Sequence, residues 1–130
     1  MVVEDYGTHE VDRAGRLDIY AEDCTQAMEI SQAAQGYAIN LRTLRGGEGS
    51  HVNMAYKGFH LRQHSLYPTG VACLIQSGAD SDFDVTVVGG GADAVVVQSQ
   101  YGVLPYRHRI VANVRDTAGY AVNEKNGQDN

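Results

Sequence analysis

Residues 17–41 read LDIYAEDCTQAMEISQAAQGYAINL, and this stretch decides the fold class that the sequence predicts. Apolar and mixed side chains alternate over residues 17–21, which is the period of a half-buried strand. A stripe at helical spacing follows and predicts a helix over residues 23–35; its members are Cys24, Ala27, Ile30 and Ala34. Asp23 can cap this helix and Gly36 can end it. From residue 37 the period returns to two, so the stretch predicts a β-α-β unit.

The rest of the chain has the pattern of strands. Period-two or continuous apolar segments recur as far as residue 122, and no internal repeat stands out. Residues 89–93, with three consecutive glycines, read as the loop of a β-hairpin between two valine-rich strands. The predicted fold class is therefore α+β, with one helix packed on a curved, mostly antiparallel sheet that can close towards a barrel.

The length of 130 residues suits a single domain. We assign the domain to residues 1–122, with an acidic arm at its start, and expect a disordered polar tail over residues 123–130 because that segment has no hydrophobic residue. No apolar run approaches the roughly 18 residues of a membrane span, and the first residues lack the basic and apolar regions of a secretory signal. These features predict a cytoplasmic protein that does not enter a membrane.

Charge is unevenly distributed along the chain. The formal net charge is −6, which disfavours non-specific binding to nucleic acid. Residues 1–36 hold eight acids and two bases, whereas residues 37–79 hold one acid and four bases. Such an asymmetry acts on the choice of partner rather than on the fold. The eight arginines against two lysines, with abundant Ala, Val and Gly, are typical of a bacterial or phage genome rich in GC.

The two cysteines, Cys24 and Cys73, are too far apart in sequence to form a CxxC motif, and both lie among small apolar residues. We expect two reduced, buried and unreactive thiols.

The candidate binding residues are mainly arginines near the C-terminus. Arg107, Arg109 and Arg115 share strand parity, and guanidinium groups on one face can bind phosphate or carboxylate groups in a bidentate manner. Tyr101 and Tyr106 lie close in sequence and can stack on a ring. Earlier in the chain, a predicted strand carries His60, Arg62 and His64, and these side chains form a second strip that can contact an anion.

Histidines are the only candidate acid–base groups. His60, His64 and His108 could act in a cavity between the helix and the sheet, since histidine titrates nearest to neutral pH. A metal site at His60 and His64 is disfavoured by the positive charge of Arg62 between them. Asp80, Asp82 and Asp84 have the spacing of a calcium loop, but the required glycine and glutamate are missing. The sequence therefore predicts no metal, no cofactor and no catalytic motif.

The predicted function is that of a non-enzymatic binding protein, acting through a protein partner or a small anionic ligand. A phage or mobile-element inhibitor of a host factor fits this description. The alternative is a small enzyme using the histidines named above. Several strands are apolar on both faces, so either the sheet closes into a barrel or sandwich within one chain or a second copy covers the second face. Of these we expect a homo-oligomer, a dimer in the first place.

Overall fold

The computed structural model describes residues 2–4, 16–31, 37–55, 58–78, 80–99, 105 and 107–125, and this part of the chain folds into strands without a helix. The strands are β1 (Val2–Glu4), β2 (Arg16–Ser31), β3 (Ala38–Ala55), β4 (His60–Leu66), β5 (Cys73–Gly78), β6 (Asp82–Val88), β7 (Val95–Gln98), β8 (Arg109–Arg115) and β9 (Val122–Glu124). Every pairing between them is parallel. With no helix in the described residues, none of them forms a helix that could cross a membrane.

The register of the pairing repeats at a nearly constant interval. Arg16 lies beside Ala38, Ala38 beside His60 and His60 beside Asp82, so successive strands are 22 residues apart. The last step, from Asp82 to Arg109, is 27 residues long. Each repeat is thus one full turn of the chain, and we call each turn a rung.

All nine strands form one hydrogen-bonded sheet, which bends at a corner within β2 and β3 into two layers, so the fold is a β-solenoid; we call these layers the first and the second sheet. The first sheet stacks residues 16–22 of β2 and 38–44 of β3 with β4, β6 and β8. The second sheet stacks β1, the later halves of β2 and β3, and then β5, β7 and β9. Because parallel strands need a long connection, the other half of each rung supplies it.

The core lies between the two sheets and is built from columns of side chains. Strands β4 and β6 alternate strictly between exposed or half-buried and buried positions, so every second residue faces inward. One inward column of the first sheet runs along the whole solenoid through Leu17, Ile39, Leu61, Phe83 and Ile110. The second sheet faces it with the buried residues Met28, Ile30, Val52, Ile75 and Val95.

A fully bonded polar cluster interrupts the apolar columns in the middle rungs. The amide of Gln63 donates to Ser65 Oγ and to the carbonyl of Ala72, at 2.9 and 2.7 Å, and its oxygen accepts from Ser50 Oγ at 2.5 Å. Thr43 Oγ1 donates to Ser65 Oγ at 2.8 Å. The cluster ties the two sheets together, and because its members satisfy one another, burying them carries little penalty.

The corner after the first sheet is defined by a column of left-handed residues. Asp23, Arg45, Tyr67 and Asp116 have φ between 52° and 56°, and Gly89 occupies the same column with φ of 71°. This conformation turns the chain sharply from one sheet into the other. A Cβ at Gly89 would collide with the ring of Tyr67 one rung below, so only glycine fits there.

The predicted helix over residues 23–35 is wrong. Residues 23–31 belong to β2, and residues 32–36 lie outside the described residues. Asp23 is a left-handed corner residue instead of a helix cap. Within the predicted helical stripe, Ala27 and Ile30 are buried as expected, but Cys24 is exposed. The adjacent Met28 is also fully buried, and it forms with Ile30 a period-two pair that faces the core.

The predicted α+β class and antiparallel sheet are also wrong. Strands β6 and β7, expected to form a hairpin around residues 89–93, lie in different sheets and pair with strands one repeat away. Period-two alternation does not distinguish parallel from antiparallel pairing, which is why the strands themselves were anticipated but their partners were not. The repeat was missed because only the pattern of inward positions recurs, with different residues in it. Finally, Asn123 and Glu124, assigned to the tail, are part of β9.

We predict that Leu61→Ala lowers the free energy of unfolding by about 2–5 kcal/mol, because Leu61 is fully buried in the central rung. The matched control is Arg62→Ala, which alters the adjacent outward and exposed side chain and should change stability by no more than about 0.5 kcal/mol. Urea unfolding followed by circular dichroism measures both. Equal losses in the two variants would contradict the alternation of inward and outward positions.

Candidate binding groove

The outer face of the first sheet carries the candidate site. Parallel stacking places its outward side chains in columns along the solenoid axis, with about 4.8 Å between rungs. The central column contains an aromatic, a guanidinium, an imidazole and two small polar groups, in the order Tyr20, Arg42, His64, Thr86 and Asn113. The column beside it is formed by Asp18, Asn40, Arg62, Asp84 and Val111.

A groove of about 510 Å³ runs across the first three rungs of this face. The outward side chains that line it are Arg16, Asp18, Tyr20, Asn40, Arg42, Arg62 and His64. All of them are exposed except Asn40, which is half-buried, and Tyr20 retains 62% of its exposure. A second open groove, of about 430 Å³, continues from His64 over β6 and β8 to Arg115. The face therefore offers an elongated surface along the solenoid axis.

One end of the groove is internally neutralised. Arg16 Nε lies 3.3 Å from Asp18 Oδ2, and Asn40 Nδ2 donates to Asp18 Oδ1 at 2.8 Å. The Asn40 hydrogen bond, with Arg16 in support, holds the pKa of the Asp18 carboxyl below its usual range. Arg16 is therefore already occupied by an acid of this same chain.

Arg42 and Arg62 differ from Arg16 in this respect. Neither makes a hydrogen bond or ion pair with any of the described residues, although Asp18 senses the charge of Arg42. They lie on adjacent rungs, since Arg42 pairs with His64 and Asn40 pairs with Arg62 in the register. From the strand spacings, their Cα atoms are about 8 Å apart. Two exposed guanidinium groups at this separation can bind two anionic groups or one larger one.

The arginines predicted near the C-terminus do not converge on one site. Arg109 and Arg115 project outward from the two ends of β8 and are exposed. Arg107 precedes the strand at a left-handed corner, and its Nε lies 2.7 Å from Asp80 Oδ1. The Arg107 guanidinium holds the pKa of Asp80 below its usual range. Tyr101 and Tyr106 lie outside the described residues.

The three candidate histidines are also separated. His60 and His64 face outward from β4, and His60 Nδ1 is 4.0 Å from Asp82 Oδ2. His108 lies at a corner, where its Nδ1 accepts the backbone N–H of Ser81 at 3.2 Å and its ring meets Phe83 edge to face. Burial lowers the pKa of His108. The cavity between helix and sheet on which the enzyme alternative depended is absent from the described residues, because they contain no helix.

A polar cluster that was not predicted from the sequence lies on the outer face of the second sheet. His51 Nδ1 is 3.5 Å from Glu48 Oε1, and His51 Nε2 is 2.5 Å from Gln76 Oε1. Gln26 Nε2 donates to Glu48 Oε1 at 3.1 Å. Burial raises the pKa of the Glu48 carboxyl. The 22-residue register that brings Gln26 beside Glu48 is the only signal that could have revealed this cluster from sequence.

The described residues contain no group of three His, Cys, Asp or Glu side chains placed to hold a metal ion. Comparisons with protein-family models, with curated protein sequences and with solved structures find no match.

We predict that a thiol reagent labels one cysteine per native chain. Cys24 is free and exposed, contrary to the expectation of two buried thiols, while Cys73 is free and fully buried. Burial raises the pKa of the Cys73 thiol to about 12, so its reactive thiolate is scarce. Labelling followed by mass spectrometry should yield a single adduct, lost in Cys24→Ser, and a second adduct only in denaturant. Rapid double labelling of native protein would contradict this placement.

We predict that Glu48→Gln raises stability at neutral pH. The folded state holds the Glu48 proton more tightly than the unfolded state does, so the stability from this group is present at low pH and lost as pH rises through the folded-state pKa. Glutamine stays neutral throughout. The variant should therefore be more stable than wild type at pH 7, and the difference should shrink below about pH 4. Urea unfolding across pH measures it, and a difference independent of pH would refute the assignment.

Proposed function

We propose that this chain is a non-enzymatic binding protein and that the groove on its first sheet takes an extended anionic ligand. The observation that carries the proposal is the pair Arg42 and Arg62: two exposed guanidinium groups on adjacent rungs with no acidic partner among the described residues. Elsewhere in the described structure, Arg16, Arg45 and Arg107 each lie against a carboxylate.

The shape of the groove favours a ligand that lies along the solenoid axis. Tyr20, Arg42 and His64 occupy one column on consecutive rungs, so successive contacts recur at the rung spacing of about 4.8 Å. The exposed ring of Tyr20 provides a flat apolar surface beside Arg42, on which a sugar or other ring can stack. Carboxylate, sulfate and phosphate groups all match the bidentate geometry of guanidinium. An acidic segment of a protein partner has the same chemistry.

The groove is suited to binding more than to catalysis. Its outward side chains are largely exposed, whereas chemistry in a protein site generally depends on excluding water. Because its contacts are electrostatic and exposed to solvent, the affinity for an anion should fall with increasing salt.

We predict that Arg42→Glu combined with Arg62→Glu abolishes this binding. Probes are heparin oligosaccharide, polygalacturonate, polyphosphate and poly-glutamate, titrated calorimetrically at low salt. A charge-assisted hydrogen bond contributes about 1.5–3 kcal/mol, so each replacement should weaken the affinity about tenfold or more. The comparison variant is Arg109→Glu with Arg115→Glu, which changes the net charge equally; neither arginine lines the first groove, although Arg115 lies at the far end of the second.

The two double variants also distinguish binding in the groove from binding at the C-terminal arginines that the sequence predicted as a site. Retained binding in the comparison variant and loss in the groove variant supports the proposal. The reverse result would place the site at the C-terminal rung, and failure of wild type to bind any of the four probes would refute an anionic ligand.

A further inference from the structure

Strand β8 leaves one side of its backbone unpaired among the described residues. Arg109 N donates to Ser81 O at 3.0 Å, and Arg115 O accepts from Gly89 N at 2.9 Å, so both ends of β8 bond towards β6. In a parallel strand, alternate residues bond to the same neighbour. The intervening residues, Ile110, Ala112 and Val114, therefore direct their N–H and C=O groups away from β6, towards the open end of the solenoid.

The opposite end of the first sheet has the complementary pattern. Tyr37 O accepts from His60 N, so the odd-numbered residues of β3 bond to β4 and the even-numbered ones bond back to β2. On β2 the inward residues then bond to β3, and the outward residues Asp18 and Tyr20 direct their backbone groups to the other open end. In every interior strand of the first sheet, it is likewise the outward residues whose backbone groups bond to the strand of the preceding rung.

We propose that copies of this chain associate head to tail, with β8 of one copy adding in parallel to residues 16–22 of the next. Placing Arg109 beside Arg16 of the next copy continues the hydrogen-bond pattern of the solenoid without a change of register. The inward columns continue in the same step: Ile110 meets Leu17, Ala112 meets Ile19, and Val114 meets Ala21.

Burial at the two ends supports this contact. The inward residues of the middle rungs are buried because each has a rung on either side; they include Ile39, Leu41, Leu61, Phe83, Val85 and Val87. Their equivalents at the ends are only partly buried: Leu17, Ile19, Ala21, Ile110, Ala112 and Val114. A further rung would cover this apolar surface, and open edge strands are common sites of strand addition.

Charge favours the head-to-tail direction. The first rung carries Asp18, Glu22 and Asp23 against a single base, whereas β8 carries two arginines and no acid. In the proposed register, Arg115 lies beside Glu22 of the next copy, an attractive pair although Glu22 also bonds Arg45. Arg109 lies beside Arg16, a repulsive pair, so one of the two end contacts is attractive and the other is repulsive. A two-fold contact of β8 with itself, centred on Ala112, would place Arg109 opposite Arg115, a repulsive pair at both ends.

Strand β1 competes with this assembly. The columns of the second sheet connect Val122 through Val95, Cys73 and Ser50 to Met28, so β9 of an added copy would fall beside residues 28–30 of its neighbour. Strand β1 already pairs with residues 29–31. The two strands cannot occupy one place, so β1 must leave before the next copy docks. It acts as a removable cap.

Sedimentation velocity over a range of concentrations tests the proposal, with circular dichroism to confirm folding. Deleting residues 2–4 should make the average mass rise with concentration from 14.1 kDa more steeply than in wild type, without stopping at the dimer. In that background, Arg115→Glu should weaken association severalfold, because it faces Glu22. Arg109→Glu should strengthen it, because it faces Arg16.

These two substitutions are matched in charge, strand and exposure, and their opposite effects are specific to the head-to-tail register. A two-fold contact would move both in the same direction and stop at a dimer, which would overturn the proposal. A truncated chain that remains at the monomer mass, or that associates no more than wild type, would also overturn it.

Discussion

The hydrogen bonding of each rung to the rung before it is the interaction on which the rest of the structure depends. A backbone folded into a solenoid can satisfy its N–H and C=O groups only if every strand has a parallel neighbour one repeat away. A repeat of 22 residues over most of the chain meets this requirement, and it places equivalent residues of successive rungs in columns. The long last step, of 27 residues, keeps the strand register because its extra residues fall between the strands, outside the pairing of β6 with β8. Stability is then shared between neighbouring rungs, as in other repeat architectures.

The same columns assign alternate residues of each strand to the core and to the surface, which are under different constraints. Inward positions must be apolar, or polar and mutually satisfied as in the cluster around Gln63. Outward positions have no such constraint, so their charges can be distributed to suit a ligand. At the corners, charged side chains of adjacent rungs form ion pairs, and their charges neutralise each other. Examples are Asp23 with Arg45 and Asp80 with Arg107. Arg42 and Arg62 form no ion pair or hydrogen bond with any of the described residues, although Asp18 and Asp84 lie on the same face.

The stacking also explains why the two ends of the molecule differ from its middle. Among the described residues, an interior rung is covered on both sides, while an end rung has apolar residues with a neighbour on one side only. At the C-terminal end, Asp93 secures the last rung by accepting the backbone N–H of Tyr120 at 2.8 Å and the amide of Asn123 at 2.7 Å. Tyr120 and Val122 nevertheless remain 70% and 45% exposed. The two sheets of one chain cover each other, which is the closed arrangement that the sequence offered beside a dimer, and the association of copies stays a prediction.

Outside residues 23–31, where a helix was predicted, the sequence alone determined the position of most strands and which of their residues can face a core, because alternation of apolar and polar side chains is a local property of a strand. The alternation at residues 37–41, 59–62 and 83–88 is found in the structure as inward and outward faces. Arg62 could be named as a binding residue, but Arg42 could not, because nothing in the chain indicates that positions 22 residues apart become neighbours. Only the tertiary structure decided the partner of each strand, the parallel direction and the corner at Asp23 where a helix was expected. The physical reason is that spacing at residues 24, 27 and 30 fits a helix as well as it fits a strand that turns a corner, and the choice between them is made by backbone hydrogen bonds to the next rung.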